Sequence, residues 1–276
     1  MPNKLLGQHF LNDTQGTITK KMIAALTPAE GETIIEVGPG RGALTRPLAA
    51  ACKKSGARLI AIEKDVRLAA ALEEEFKKSS AGSDVQIIAG DALEVLGSNR
   101  ALSRKTTGAR YKVIGNIPYY LTGHLLRIIG ERKDLPAICI FMAQKEVAER
   151  IIAEPPEMNR LAASVQFWAE PKIIASVSRE NFTPAPNVDS AIISLTARTQ
   201  KPSAAETKRY YAALHALFAQ PRKTILNNLA ARAEEKGMQN GKHADSEKLF
   251  ALHLDPGMRP QDLTVDEVNA VARAFF

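Results

Sequence analysis

A chain of 276 residues, 45% hydrophobic and 24% charged, can bury a sizeable core in one or two domains. Its longest apolar runs fall far short of the roughly 18 residues a membrane helix needs, and no apolar signal core opens it, which points to the cytoplasm and away from membranes. Cys52 and Cys139, the two thiols, read as core filling rather than as a disulfide framework or a metal cluster, and a formal charge of +7 favours polyanionic partners only weakly.

Residues 1–12, MPNKLLGQHFLN, form a short arm. Asp13 or Thr14 can cap a helix through Leu26, with Ile18, Met22, Ile23 and Leu26 at helical spacing. After Pro28 and Gly31 the rhythm becomes strand, helix, strand. Strands are expected at 33–37, 58–62, 85–88, 111–114 and 137–142, with helices at 43–55, 65–79 and 121–130 between them. Further strands are plausible at 165–168, 172–178 and 189–196. Short apolar strands separated by helices predict a mostly parallel sheet covered on both faces. Residues 198–206 read as a linker, and helices near 207–219, 221–235, 245–252 and 264–274 follow. The expected organisation is an α/β domain over 1–200 and a small helical domain over 201–276.

The stretch TIIEVGPGRG, Thr33 to Gly42, organises the rest. A strand carrying the charged Glu36 runs into Gly38, Gly40 and Gly42, a turn that lets backbone approach a bound group. The pattern is G-x-G-x-G, so the dinucleotide fingerprint is only approximated. Glu36 beside the turn, and Pro39 without an N–H, suit a cationic ligand such as a sulfonium with an amino-acid tail. Glu63 lies where an acid would hold ribose hydroxyls, and Asp91 where one would accept from an adenine amino group. Gly38, Glu63, Asp91 and Asn116 each follow the carboxyl end of an expected strand, and in an open α/β sheet those ends form the ligand rim. Asn116-Ile117-Pro118-Tyr119 combines an amide, a stiffened carbonyl and an aromatic face. Such a loop can hold a planar amine with its lone pair aimed at a methyl donor, a task of positioning rather than of strong base catalysis.

The chain resembles the small-subunit ribosomal RNA adenine N6-dimethyltransferase family. The matching stretches run in order: GQHFL at 7–11, EVGPGRGALT at 36–45, IEKD at 62–65, GDAL at 90–93, NIPYYLTGHLL at 116–126, MAQKEVAERI at 142–151, FTPAPNVDSAII at 182–193, PRKTILNNL at 221–229 and RPQDLTVDE at 259–267. The resemblance implies a Rossmann-like S-adenosyl-L-methionine domain, a C-terminal helical domain and dimethylation of two adjacent adenosines near the 3′ end of small-subunit (16S) rRNA. It implies cofactor contacts from His9, Leu11, Glu36, Gly38, Gly40, Glu63, Asp91 and Asn116. It further implies that Asn116, Pro118 and Tyr119 hold the amine and that Phe182 stacks on the target adenine. Lys145, Arg150, Arg222 and Lys223 are candidate phosphate contacts, the last two opening a helix. No metal is implied. The partner expected is rRNA in a small-subunit assembly intermediate, met by a monomer.

Three positions depart from the family pattern. His9 stands where asparagine is usual, which predicts altered cofactor affinity rather than lost activity. Met158-Asn159 replaces a Tyr-Gly pair, placing RNA contacts from that loop in question, and Ala185 replaces a frequent proline. Two competing readings are a large-subunit (23S) adenine methyltransferase of the antibiotic-resistance type and an assembly factor with weak catalysis. The intact C-terminal PRKTILNNL stretch favours the first reading over the former, and the intact acids and Asn116 loop favour it over the latter.

Overall fold

A computed structural model describes residues 9–78, 85–98, 110–117, 121–200, 202–235 and 242–276. Its described residues divide into two compact units, one from the residues through Ala148 together with Glu170–Ala197, the other from Glu149–Ala169 and Arg198–Phe276.

The first unit is built on a seven-stranded sheet. Its strands are β2 (Thr33–Val37), β3 (Arg58–Glu63), β4 (Val85–Ala89), β5 (Tyr111–Asn116), β6 (Ile138–Gln144), β7 (Ala169–Val177) and β9 (Ser190–Ala197), in the order β4-β3-β2-β5-β6-β9-β7. From β4 to β6 every pairing is parallel, and β9 then runs antiparallel to β6. The central β2 is buried at every residue, as a parallel strand covered on both faces must be, whereas the edge strand β7 alternates. Helices α1 (Thr17–Leu26), α2 (Thr45–Ser55), α3 (Val66–Lys78), α4 (Ala92–Gly97) and α5 (Thr122–Gly130) accompany the strands. Leu44, Leu48 and Cys52 bury one face of the α2 region against Ile34, Leu59 and Leu72. Asp13 serves α1 from beyond its N-cap, Gly16: its carboxylate accepts from the Thr19 N–H at 2.8 Å and hydroxyl at 3.0 Å.

The parallel order reverses beside β2, with β3 and β4 to one side and β5 and β6 to the other. That switch leaves a crevice beyond the carboxyl ends of the strands. A separate ribbon pairs β1 (Phe10–Leu11) with β8 (Phe182–Thr183), antiparallel. It fastens the arm to a segment more than 170 residues away, a pairing that no local pattern announces.

The second unit has its own core, in which Met158, Ala162, Tyr210, Leu214, Leu217, Leu249 and Val268 are buried together. Its helices are α7 (Arg160–Gln166), α8 (Ala204–Leu217), α9 (Ile225–Glu235), α10 (Lys242–Ala251) and α11 (Val265–Phe275), and α6 (Lys145–Ile151) runs across the boundary. Capping boxes, Ser203 with Glu206 and Thr264 with Glu267, start α8 and α11. The strand expected at 165–168 is instead the end of α7 and the turn after it. Asn159 starts that helix by accepting from the Leu161 and Ala162 N–H groups, each at 3.0 Å, and Phe167 stacks on Tyr210 at 3.7 Å between centroids. Residues 149–169 therefore group with the helical unit, a division different from a single cut near 200.

Candidate active site

A cavity of about 350 Å³ opens in the first unit at the carboxyl ends of the parallel strands, a size suited to a small-molecule ligand. His9, Leu11, Glu36, Gly38, Gly40, Glu63, Asp91 and Asn116 all line it. Of the amine-holding group, only Asn116 can be located, because Pro118 and Tyr119 lie outside the described residues. Phe182 is placed differently from the expectation. It is 4% exposed in the main core cluster, across the ribbon from Leu11, and its neighbour Thr183 is the one that lines the cavity. Leu11, its partner across the ribbon, packs against the same core cluster, so the Phe182 ring is enclosed there.

The glycine turn is fixed by backbone hydrogen bonds. The Gly38 N–H donates to the Ile62 carbonyl at 3.0 Å, tying the end of β2 to β3. Gly40 has φ +58°, where an L side chain is strained, and a Cβ there would lie 3.3 Å from the Phe10 ring. Its free N–H donates to Glu63 Oε2 at 2.9 Å, and the Asp65 N–H donates to Glu63 Oε1 at 2.8 Å. Each Glu63 oxygen keeps a lone pair in a buried position, as two vicinal hydroxyls would require.

Glu36 is the electrostatic anomaly of the site. It is 1% exposed, its Oε1 accepts from the Thr45 hydroxyl at 3.1 Å, and its Oε2 has no hydrogen-bond partner among the described residues. Burial drives its pKa up to about 8; the Thr45 hydrogen bond opposes that rise and the nearby Glu63 adds to it. A carboxyl so placed is stable when neutral, or when a cation enters beside it.

Asp91 caps α4, its Oδ1 accepting from the Leu93 N–H at 2.8 Å, while Oδ2 meets Lys64 Nζ at 2.7 Å. Burial raises its pKa, but Lys64 and the Leu93 hydrogen bond outweigh that and hold it below the usual aspartate value. Asn116, the last residue of β5, donates its Nδ2 amide to the His9 carbonyl at 3.2 Å. His9 Nδ1 in turn lies 2.8 Å from the Pro184 carbonyl.

Three cavity residues, Phe10, Arg41 and Lys64, do not stand out in the sequence pattern. Arg41 carries its guanidinium 4.4 Å over the Phe10 ring, and Lys64 pairs with Asp91. The G-x-G-x-G and E-K-D stretches contain Arg41 and Lys64, but nothing local indicates that Phe10 reaches the turn.

The four candidate phosphate contacts are exposed. Lys145 belongs to the first unit and Arg150, Arg222 and Lys223 to the second. Arg222 and Lys223 do not open a helix. They sit in the turn before α9, where the buried Asn228 ties the chain by accepting from the Gln220 N–H at 3.0 Å and donating to the Gln220 carbonyl at 3.1 Å. Met158 and Asn159 have structural work of their own, one in the core of the second unit and the other capping α7. Among the described residues no group of His, Cys, Asp and Glu is arranged to hold a metal ion.

These residues fit S-adenosylmethionine: an orphaned buried carboxylate oxygen for a positive group, a glycine turn that a Cβ would fill, and two acids each with acceptor capacity. Residues 2–251 match the family described as ribosomal RNA adenine dimethylase. The chain is 39% identical to a ribosomal RNA small subunit methyltransferase A of Pelotomaculum thermopropionicum, over 99% of this chain and 91% of that protein. To the protein of the same name from Moorella thermoacetica it is 36% identical, over 100% and 93%. Among solved structures it is similar to a dimethyladenosine transferase from Plasmodium falciparum, with a TM-score of 0.72 and 23% identity over 97% of this chain and 100% of that one. A 23S rRNA methyltransferase shares the fold with a TM-score of 0.66 and 21% identity, over 96% and 99%.

Proposed function

The chain belongs to the ribosomal RNA adenine dimethylase family, and on that premise we propose that it dimethylates N6 of two adjacent adenosines near the 3′ end of small-subunit rRNA. It is an rRNA adenine dimethyltransferase that uses S-adenosylmethionine. The observation that carries the reading is the convergence of Glu36, Glu63, Asp91 and Asn116 on one cavity at the strand ends.

S-Adenosylmethionine, when bound, supplies an electrophilic methyl on a sulfonium. In this reading Glu63 accepts from ribose hydroxyls, Asp91 accepts from an adenine amino group, and Glu36 offsets positive charge. Asn116 holds the N6 amino group of the target through its amide oxygen, leaving the nitrogen lone pair directed at the methyl carbon. No strong base is called for, because the alkylated nitrogen sheds its proton readily, and orientation supplies the rate. The second transfer requires a pocket that also accepts the monomethylated amine. Pro118 and Tyr119 complete the adenine pocket in this reading, whereas Phe182, enclosed in the core, is not among the residues that line the cavity.

Lys145, Arg150, Arg222 and Lys223 are proposed to meet RNA phosphates, and the helical region from 201 onward to contact RNA or the ribosome. Such binding weakens as salt rises. The partner proposed is rRNA within an assembling small subunit, engaged by a monomer in the cytoplasm. Among the described residues no helix is long and apolar enough to cross a membrane.

The test is to incubate the protein with labelled S-adenosylmethionine and unmethylated small subunits, then digest the RNA. N6,N6-dimethyladenosine at two adjacent positions near the 3′ end is the expected product. Label in large-subunit RNA instead would transfer the assignment to the antibiotic-resistance type. Cofactor and particle binding without label would favour an assembly factor.

A further inference from the structure

We propose that the N-terminal arm, through His9, positions the amide of Asn116 for methyl transfer, so that His9 acts on turnover as a positioning residue rather than chiefly as a cofactor contact. The proposal rests on the functional reading above and concerns how its amine-holding residue is set.

A side-chain amide has two ends that differ in chemistry, one donating and one accepting. To hold an amine by its proton, Asn116 must present oxygen toward the cavity. Nothing in the residue itself enforces that, since rotation about the last side-chain bond exchanges the two ends. Here the neighbour enforces it. The His9 carbonyl can only accept, so the group facing it at 3.2 Å is Nδ2, and Oδ1 is left for the substrate.

The carbonyl is useful only if the arm is held still. Among the described residues it is fastened both at His9 and just beyond it. Beyond His9 the ribbon pairs Phe10 with Thr183 and Leu11 with Phe182, and the Asn12 N–H donates to the Asn181 carbonyl at 2.7 Å. At His9 itself the ring reaches the Pro184 carbonyl at 2.8 Å. A carbonyl accepts only, so Nδ1 carries the proton in this contact. That proton is present in the Nδ1–H tautomer of neutral imidazole and in imidazolium alike, so the clip holds in either charge state. An asparagine at position 9 also has a donor amide, though on a shorter stem, and can serve the same carbonyl. The departure at His9 is then a change of clip, not a loss of one.

The experiment uses the full chain with His9→Ala and His9→Asn. Turnover on unmethylated small subunits and the dissociation constant for S-adenosylmethionine are measured for each. In addition, the Asn116 side-chain amide is followed by ¹⁵N NMR, assigned by its absence from Asn116→Ala. His9→Ala keeps the ribbon pairing and the backbone carbonyl but removes the ring's contact with the Pro184 carbonyl. Its turnover is expected to fall about tenfold while cofactor affinity stays within about threefold, the scale of one hydrogen bond's worth of orientation. His9→Asn is expected to recover most of the turnover. The two Asn116 amide protons, distinct in the wild type, are expected to move together or broaden in His9→Ala. A loss confined to cofactor affinity, or an Asn116 amide spectrum that does not change in His9→Ala, overturns the proposal. If the wild-type chain methylates no small-subunit RNA, the functional reading falls, and the amide spectrum alone decides this inference.

Discussion

Two neighbouring strand ends, those of β2 and β3, each carry a buried glutamate at the same rim, and they solve the burial of a carboxyl in opposite ways. Glu63 at the end of β3 takes a backbone N–H on each oxygen, from Gly40 and Asp65. Glu36 in β2 takes one hydroxyl on one oxygen and nothing on the other, and burial lifts its pKa to about 8. The difference lies in the backbone around them. The glycine turn aims the Gly40 N–H at Glu63 and the chain just after β3 adds that of Asp65, while Glu36 lies inside a parallel ladder whose N–H groups are already used by β3 and β5. The same residue type therefore becomes a finished hydrogen-bond acceptor at one end and an unfinished charge site at the other. Only the second is left for a cationic ligand to complete.

The largest expected effect comes from breaking the geometry on which the comparison depends. A Cβ on Gly115 would overlap the Val37 carbonyl oxygen, which belongs to the adjoining strand and cannot move without the ladder. Gly115→Ala should destabilise the protein by at least about 3 kcal/mol, read as a lower urea midpoint. An unchanged midpoint would mean that β2 and β5 are not held at this spacing. Next comes the finished site. Glu63→Ala removes the acceptor of ribose hydroxyls and leaves the Gly40 and Asp65 N–H groups unanswered, so S-adenosylmethionine affinity should fall about 100-fold by titration calorimetry. A fall of less than about threefold would remove Glu63 from the cofactor site.

The unfinished site is sharpened by pH. For the cofactor-free protein, Glu36 has a folded pKa raised from 4.5 to about 8. The stability it contributes is fully present below the unfolded value and is lost as pH rises through about 8. The thermal midpoint should therefore decline between pH 5 and 9 by several degrees, and Glu36→Gln should flatten that decline. Ligand binding has the opposite sign, since a cation beside Glu36 favours the carboxylate. Wild-type affinity relative to Glu36→Gln should strengthen by up to about tenfold per pH unit below 8 and level off above it. Taking the ratio to the Gln variant cancels the ligand's own titration. A ratio independent of pH would show that Glu36 does not change charge when the cofactor binds.

Much of this site is legible in the sequence because it is carried by strands, and strands announce themselves. Short apolar runs ending in Gly38, Glu63, Asp91 and Asn116 put those residues at one level by pattern alone, and the cavity gathers all four. The β1–β8 ribbon is not legible, because two-residue strands have no periodicity and their partners are distant in sequence. Residues 165–168 mislead for a different reason. Val165-Gln166-Phe167-Trp168 has strand-like composition, but Asn159 upstream starts a helix, and packing on Tyr210 settles the matter. Arg222 and Lys223 look like the start of α9, yet Asn228 folds back on the preceding turn and delays the helix to Ile225. The ribbon and the Phe167–Tyr210 stack join residues far apart in sequence, and the two asparagines act through side-chain bonds to backbone that apolar periodicity does not register.

The smallest effect tests the one contact Glu36 does have. Thr45→Val keeps the branched shape of a fully buried side chain and removes only the hydroxyl that reaches Oε1. Thr45 is the first residue of α2 and its side chain caps nothing, so the helix should persist. A hydrogen bond to the charged form of a carboxyl lowers its pKa, and its removal must raise it. The pH at which cofactor affinity levels off should move upward from about 8, by less than about one unit, with affinity near neutrality weakened about threefold. In a Glu36→Gln background the same Thr45 change should leave the pH profile untouched, because the titrating group is gone. If Thr45→Val shifts the profile equally in both backgrounds, the titration belongs to another group, and the contrast between the two glutamates loses its electrostatic half while the hydrogen bonds to Glu63 stand.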